Sequence, residues 1–177
     1  MPDRPGHTHS RCRLKKTVLL VGEGPCEWAF LKHLVGLFQL RESAFAARVE
    51  NAHGGSPETV LLSAKKLLRQ RAYDVCVIVM DTDRPWPASL PGNIGITRMK
   101  FVAATPCLEG LLLQLLGVSG ITTRSTVEQC KLVLYDTYVT RDHRTEPNAY
   151  MRSFSRDVLL QRRTHCNALD VILRELQ

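Results

Sequence analysis

Two pairs of acidic residues in this chain stand where packing alone does not ask for charge. Glu23 follows the apolar run KTVLLVG (16–22), and Glu27 stands four residues later in VLLVGEGPCEWAFLKHL (18–34). Asp81 closes the most apolar run, YDVCVIVMD (73–81), and Asp83 comes two residues on in Asp81-Thr82-Asp83. Residues two apart on an extended chain point the same way. Two carboxylates so placed repel unless a cation lies between them. Oxygen donors of this kind suit Mg²⁺ or Mn²⁺, ions that also hold phosphate oxygens. Around one crevice such acids serve phosphodiester chemistry with one or two metal ions, which polarise the phosphate, activate water and stabilise the leaving oxygen. Each motif alone also has a purely structural reading. Asp81 would cap its loop, and Glu27 would favour a helix N-terminus electrostatically.

The acids meet only if the fold brings their elements to one edge. KTVLLVG predicts a buried strand. A helix is predicted from about Pro25 to Phe38, where Trp28, Leu31, Leu34, Val35 and Phe38 recur at helical spacing. FAARVENA (45–52) predicts a second strand. HGGSPETVLLSAKKLLRQR (53–71) predicts a glycine turn and a helix, with Ser56 as N-cap, Pro57 at the first helical position, and Glu58 and Thr59 in the first turn. The run ending at Asp81 reads as a strand buried on both faces of a parallel sheet. A proline-rich loop (82–93), a strand (95–103) and a short helix (107–116) follow. Helices are then predicted over 125–135, 148–163 and 167–176. Alternating strands and helices imply an α/β fold, with a mainly parallel sheet flanked by helices and a helical C-terminal part. Right-handed crossovers put the C-terminal ends of parallel strands on one edge. Glu23, His53, Gly54, Asp81 and Asp83 all belong to that edge.

The bulk numbers bound the rest. The chain has 177 residues, 44% hydrophobic and 23% charged, enough for one domain over 16–177 with a real core. Residues 1–15 read as a disordered basic tail, in which His7 and His9 are surface residues. No apolar run is long enough to span a membrane, and no signal-peptide pattern opens the chain, so a cytoplasmic location is expected. Six cysteines without a Cys-x-x-Cys pair argue against a zinc site or a disulfide framework. Cys76 reads as packing, and Cys26 and Cys107 as small residues beside the motifs. The net charge of +7 is uneven: +4 in residues 1–16, +1 in 17–123, +3 in 124–163 and −1 in 164–177. That distribution allows a polyanion partner. Arg141, Arg144, Arg152, Arg156, Arg162 and Arg163 are the candidates to track a nucleic-acid backbone, against a solvated helix face. Lys131 is the candidate lysine beside the acids.

Other motif readings are narrower. Gly22-Glu23-Gly24 begins like a dinucleotide fingerprint, but Glu27 takes the third glycine position and would repel a pyrophosphate. The Gly-x-x-x-x-Gly-Lys-Ser/Thr loop is missing. Asp-x-Asp also occurs in aspartyl-nucleophile phosphatases and in glycosyltransferases. His53-Gly54-Gly55 offers either an anion-binding nest or a plain turn. Trp86 offers either a base-stacking surface or a loop anchor.

EGPCE after a first strand and DTD after a third resemble the Toprim domain of topoisomerases, primases and overcoming-lysogenization-defect nucleases. EGPCEWAFLKHL, HGGSPETVLLSAKKLL with YDVCVIVMDTDR, and ATPCLEGLLLQLLG together resemble the RloB-like family of Toprim proteins, over roughly residues 17–117. The resemblance implies a Toprim-like (Rossmann-like) sheet. It implies Glu23 as metal ligand or general acid/base, Asp81 and Asp83 as the metal-binding pair, and Glu27 and Glu109 as further ligands. Leu108 stands where that family usually has Phe, Gly110 where it has an apolar residue, and Gln114 about where a histidine is common. Pro25 and Cys26 replace a more usual polar or threonine-containing link. The resemblance further implies a phage-defence or restriction-linked setting and an ATPase partner. The function expected is a Mg²⁺- or Mn²⁺-dependent nuclease acting on nucleic acid, DNA ahead of RNA, with Glu23, Asp81 and Asp83 catalytic. The alternatives are a partner-dependent Toprim module that binds metal and nucleic acid or an ATPase, and a phosphatase or nucleotidyl enzyme.

Overall fold

The structure, a computed structural model, describes residues 14–86 and 98–177. The tail expected over 1–15 falls almost wholly outside the described residues, as does most of the proline-rich loop. Strands β1 (Lys16–Gly22), β2 (Phe45–Asn51), β3 (Val75–Asp81) and β4 (Met99–Ala104) form one sheet in the order β2-β1-β3-β4. Every pairing is parallel, with Gly22 beside Asn51 and Val79, and Asp81 beside Ala104. This is the α/β, Rossmann-like parallel sheet flanked by helices. Val18–Val21 of β1 and Val75–Met80 of β3 are buried without a break, as interior strands covered on both faces must be. The edge strand β2 instead buries Phe45 and Val49 and exposes Ala46 and Arg48.

The sheet order reverses at β1, and right-handed crossovers then place successive helices on opposite faces. Helix α1 (Pro25–Phe38) packs on one face in a core with Val18, Leu20, Val77 and Leu112. Helix α2 (Pro57–Gln70) covers the other through Val60 and Ala64, against Leu19, Val21, Ile78 and Met80. Ser56 caps α2, its side chain accepting the Thr59 N–H. The first core also takes α3 (Leu108–Leu116), α4 (Val127–Thr137), α5 (Arg156–Arg162) and α6 (Asn167–Glu175). At the sheet's N-terminal edge, buried Glu175 of α6 accepts from Lys16 and from Lys100 (2.5 Å). The C-terminal strand edge is thus left to other residues. Among the described residues, no helix is long and apolar enough to cross a membrane.

One expected helix is broken. Over 148–163 the chain makes a 3₁₀ turn at Pro147–Tyr150, then α5, then another 3₁₀ turn at Arg163–His165. Ser155 is extended, and its side chain accepts the Val158 N–H, so α5 begins afresh there. Tyr150 and Phe154 have meanwhile turned inward against Phe30, with ring centroids 5.5 and 5.7 Å from it. Burying these two rings outweighs helix continuity.

Gly110, at a position expected to be apolar, is where α3 meets α4. A Cβ there would lie 2.6 Å from Pro106 Cδ and 3.2 Å from Cys130 Sγ. Gly110→Ala should therefore destabilise the fold by about 1–3 kcal/mol, against the usual gain of replacing glycine in a helix. Urea unfolding checks this, and an unchanged midpoint would refute the tight contact.

Candidate functional site: an acid cluster beside a basic cavity

The first acid is placed by the register of β1 and β3. Glu23 leaves β1 with its N–H donated to the Val79 carbonyl (3.1 Å) and its own carbonyl accepting the Gly54 N–H (2.7 Å). Its Oε2 accepts the N–H of Asp81 at 3.1 Å, so the ends of neighbouring strands are joined through the carboxylate itself. Asp81 Oδ1 in turn accepts the N–H of Leu108 (2.9 Å), at the first turn of α3. The chain before α3 is held there by Thr82, whose N–H donates to the carbonyls of Ala104 (3.0 Å) and Pro106 (3.2 Å).

Glu27 and Glu109 come from two helix N-termini. Glu27 is buried at the third position of α1, and its Oε2 accepts the Gly24 N–H at 2.9 Å. Glu109 is buried in the first turn of α3, and its Oε1 accepts the hydroxyl of Tyr135, on α4, at 2.5 Å. Burial pushes the Asp81 carboxyl up to about 8, with the charges of Glu27, Glu109 and Glu23 adding to it. Burial likewise pushes Glu27 up to about 7, with Glu109 and Glu23 contributing. Asp81 and Glu27 thus lie within reach of the other acids' charge, at the crevice where the strand order reverses and folds of this class bind ligands.

Asp83 does not join them. β3 ends at Asp81, so the alternation that would align the two side chains lapses, and Asp83 is exposed in the bend beyond. Trp86 is a loop anchor: its Nε1–H donates to the Asp81 carbonyl (2.8 Å), and its ring meets Phe101 edge-on. His53, Gly54 and Gly55 all have positive φ. The N–H of His53 is spent on Asn51 Oδ1 and that of Gly54 on Glu23, so the segment works as a turn that braces Glu23. Gln114 donates to the Thr105 carbonyl at 3.0 Å, holding the approach to α3. Cys76 and Cys107 are buried, and no disulfide joins the described cysteines.

Beside the acids opens a cavity of about 260 Å³ lined by Cys26, Glu109, Lys131, Tyr135, Arg141 and Arg144. Three of the seven candidate nucleic-acid-binding residues thus gather next to the cluster. The other four lie elsewhere. Arg156 covers the Phe38 ring at 5.4 Å, Arg163 pairs with Asp170 at 2.6 Å, Arg162 lines a second cavity with Gln114 and His165, and Arg152 is exposed. Tyr135 is the residue that sequence reasoning missed. Its signal was the four-residue spacing from Lys131, which puts both on one helix face. Burial raises its hydroxyl pKa, the bond to Glu109 raises it further, and so it remains a neutral donor.

Among the described residues, no group of three or more His, Cys, Asp or Glu is arranged to hold a metal ion. What the site offers instead is a pair of oxygens. Asp81 Oδ2 and Glu23 Oε1 take no hydrogen bond from the described residues, while the partner oxygen of each is fixed by a backbone N–H. Neither is a sealed, unsatisfied atom. Mg²⁺ usually binds one or two carboxylates and completes its shell with water and substrate phosphate, so two such oxygens are donors of the kind it would take. Compared with models of known protein families, with curated proteins and with solved structures, the chain matches none.

Proposed function

We propose that this protein is a Mg²⁺- or Mn²⁺-dependent Toprim-type nuclease that hydrolyses nucleic-acid phosphodiesters. One observation carries the reading: Glu23 and Asp81, joined at the strand-order reversal, stand with buried Glu27 and Glu109 beside a cavity lined by Lys131, Arg141 and Arg144. The acids favour a cation and the bases favour phosphate, side by side. Asp81 and Glu23 would hold the ion through their free oxygens, and Mg²⁺ bound there supplies charge neutralisation at the phosphate and a more acidic water. The residues of the chain do the rest. The backbone N–H groups of Asp81 and Leu108 fix the two carboxylates. Glu27, whose pKa lies near neutrality, is placed to take or give a proton at its carboxylate.

The test is cleavage of supercoiled DNA, single-stranded DNA and RNA in Mg²⁺ or Mn²⁺, beside EDTA and the Glu23→Gln variant. Metal-dependent cutting that Glu23→Gln abolishes is the expected result. Metal binding without cutting would replace the reading with a partner-dependent module, and loss of both would remove the carboxylate argument.

A further inference from the structure

The basic cavity has a chemistry of its own. We infer that the cavity between α3 and α4 is a phosphomonoester subsite, in which Lys131, Arg141 and Arg144 receive a terminal phosphate. Lys131 and Tyr135 come from one face of α4, Glu109 from α3, and Arg141 and Arg144 from the chain just after α4. None of the three cations has a carboxylate within ion-pair distance among the described residues, whereas Lys16, Arg48, Lys100, Arg163 and Arg174 do. Three such cations around one small cavity make a positive site to which an anion is attracted.

Two of the cations are already positioned. The Arg141 guanidinium lies over the Tyr135 ring, 5.4 Å from its centroid. Arg144 Nη1 donates to the Arg141 carbonyl (2.7 Å), and the Arg144 carbonyl accepts from buried Tyr150 (2.8 Å). Little ordering therefore remains to be done on binding. The lining holds three cations against one acid, Glu109, whose Oε1 accepts the Tyr135 hydroxyl, so the balance of the cavity is positive.

Charge selects the ligand class. An internal phosphodiester carries one negative charge, while a phosphomonoester carries about 1.5 to 2 at neutral pH and offers three acceptor oxygens. Three cations match the second. The cavity, at about 260 Å³, is also smaller than usual drug-sized sites, roughly 300–1,000 Å³, as suits a phosphoryl group and its immediate attachment. The source is either the end of a strand or a free nucleotide. The inference rests on the cavity and deepens the nuclease reading, for which it supplies a hold on strand ends.

The test is binding in EDTA at fixed salt, so that neither metal nor cleavage enters. The probes are a short single-stranded oligonucleotide with a 5′-phosphate, the same strand with a 5′-hydroxyl, a nucleoside 5′-monophosphate and inorganic phosphate. Wild-type protein should favour the phosphorylated strand over the hydroxyl strand by about tenfold or more. The double variant Lys131→Gln, Arg141→Gln changes two exposed side chains and should lose that preference with an unchanged circular dichroism spectrum. Equal binding of the two strands with no binding of the monophosphate overturns the inference, as does an undiminished preference in the double variant. A monophosphate binding as tightly as the phosphorylated strand assigns the subsite to free nucleotides, and weaker binding assigns it to strand ends. A preference seen in a protein that never cleaves sinks the nuclease reading alone. Cleavage without any preference sinks this inference alone.

Discussion

Asp81→Asn is expected to lower metal-dependent cleavage by on the order of a hundredfold or more while making the metal-free protein more stable. The two effects have one cause. Asp81 is the acid on which Glu23, Glu27 and Glu109 all press, and burial together with that pressure pushes its carboxyl up to about 8 from an ordinary 3.8. Asparagine keeps an oxygen for the Leu108 N–H and removes the charge. It also removes one of the two free oxygens that would hold the ion. The pH dependence follows with a definite sign. Between the ordinary values of 3.8 and 4.5 and the folded-state values of about 8 and about 7, the folded protein binds more protons at Asp81 and Glu27 than the unfolded chain does. Stability from these groups is therefore fully present below the ordinary values and is lost progressively as the pH rises from there to the raised values of about 7 and about 8. In EDTA the melting temperature should fall across that window. In Asp81→Asn the fall should be shallower, leaving the variant several degrees more stable at pH 8. Millimolar Mg²⁺ should restore stability to the wild type at pH 8 and do little for the variant. Differential scanning fluorimetry over pH, with and without Mg²⁺, reads all of this. A variant less stable than wild type at pH 8 would show that the acids do not oppose one another.

Gly22→Ala is expected to cost about 1–3 kcal/mol and to damage the site at the same time. A Cβ at this position would lie 2.7 Å from Glu27 Cβ and 2.7 Å from the backbone nitrogen of Trp28. Neither contact is the far end of a flexible side chain, so relief requires α1 to lift off the end of β1. That movement carries Glu27 away from Gly24 and separates it from Glu23, the residue next to the substitution. Urea unfolding should show a lower midpoint at unchanged slope, and cleavage should fall with it. Gly36, farther along the same helix with open space around it, is the control. Gly36→Ala should be neutral or stabilising by up to about 1 kcal/mol. If both substitutions behave alike, the close approach of α1 to β1 is not what builds this edge.

Much of this architecture is written in local pattern. The bounds Lys16–Gly22 and Pro25–Phe38 follow from an unbroken apolar run, a glycine and a proline at the first helical turn, and the structure has them at the same residues. Ser56 and Pro57 announce α2, and the apolar run before Asp81 announces a strand covered on both faces. These signals are short-range, set by side-chain period and by backbone chemistry, so a reader of sequence can weigh them. The break between Tyr150 and α5 was not open to such reading. It depends on two aromatic rings finding Phe30, more than a hundred residues away along the chain.

The site divides along the same line. By itself, the sequence determined that Glu23 and Asp81 end strands of a parallel sheet and so share an edge, because parallel crossovers align strand ends whatever lies between them. Only the tertiary structure decided which other groups meet there. Asp83 is two residues from Asp81 and stays outside the cluster, because the strand stops and the chain bends. Glu109, Tyr135 and Lys131 are neighbours because α3 packs against α4 over Gly110, a contact that no local pattern encodes. Arg141 and Arg144 turn toward the acids while Arg156 and Arg163 turn away, since charge count is a property of composition and charge position is a property of packing.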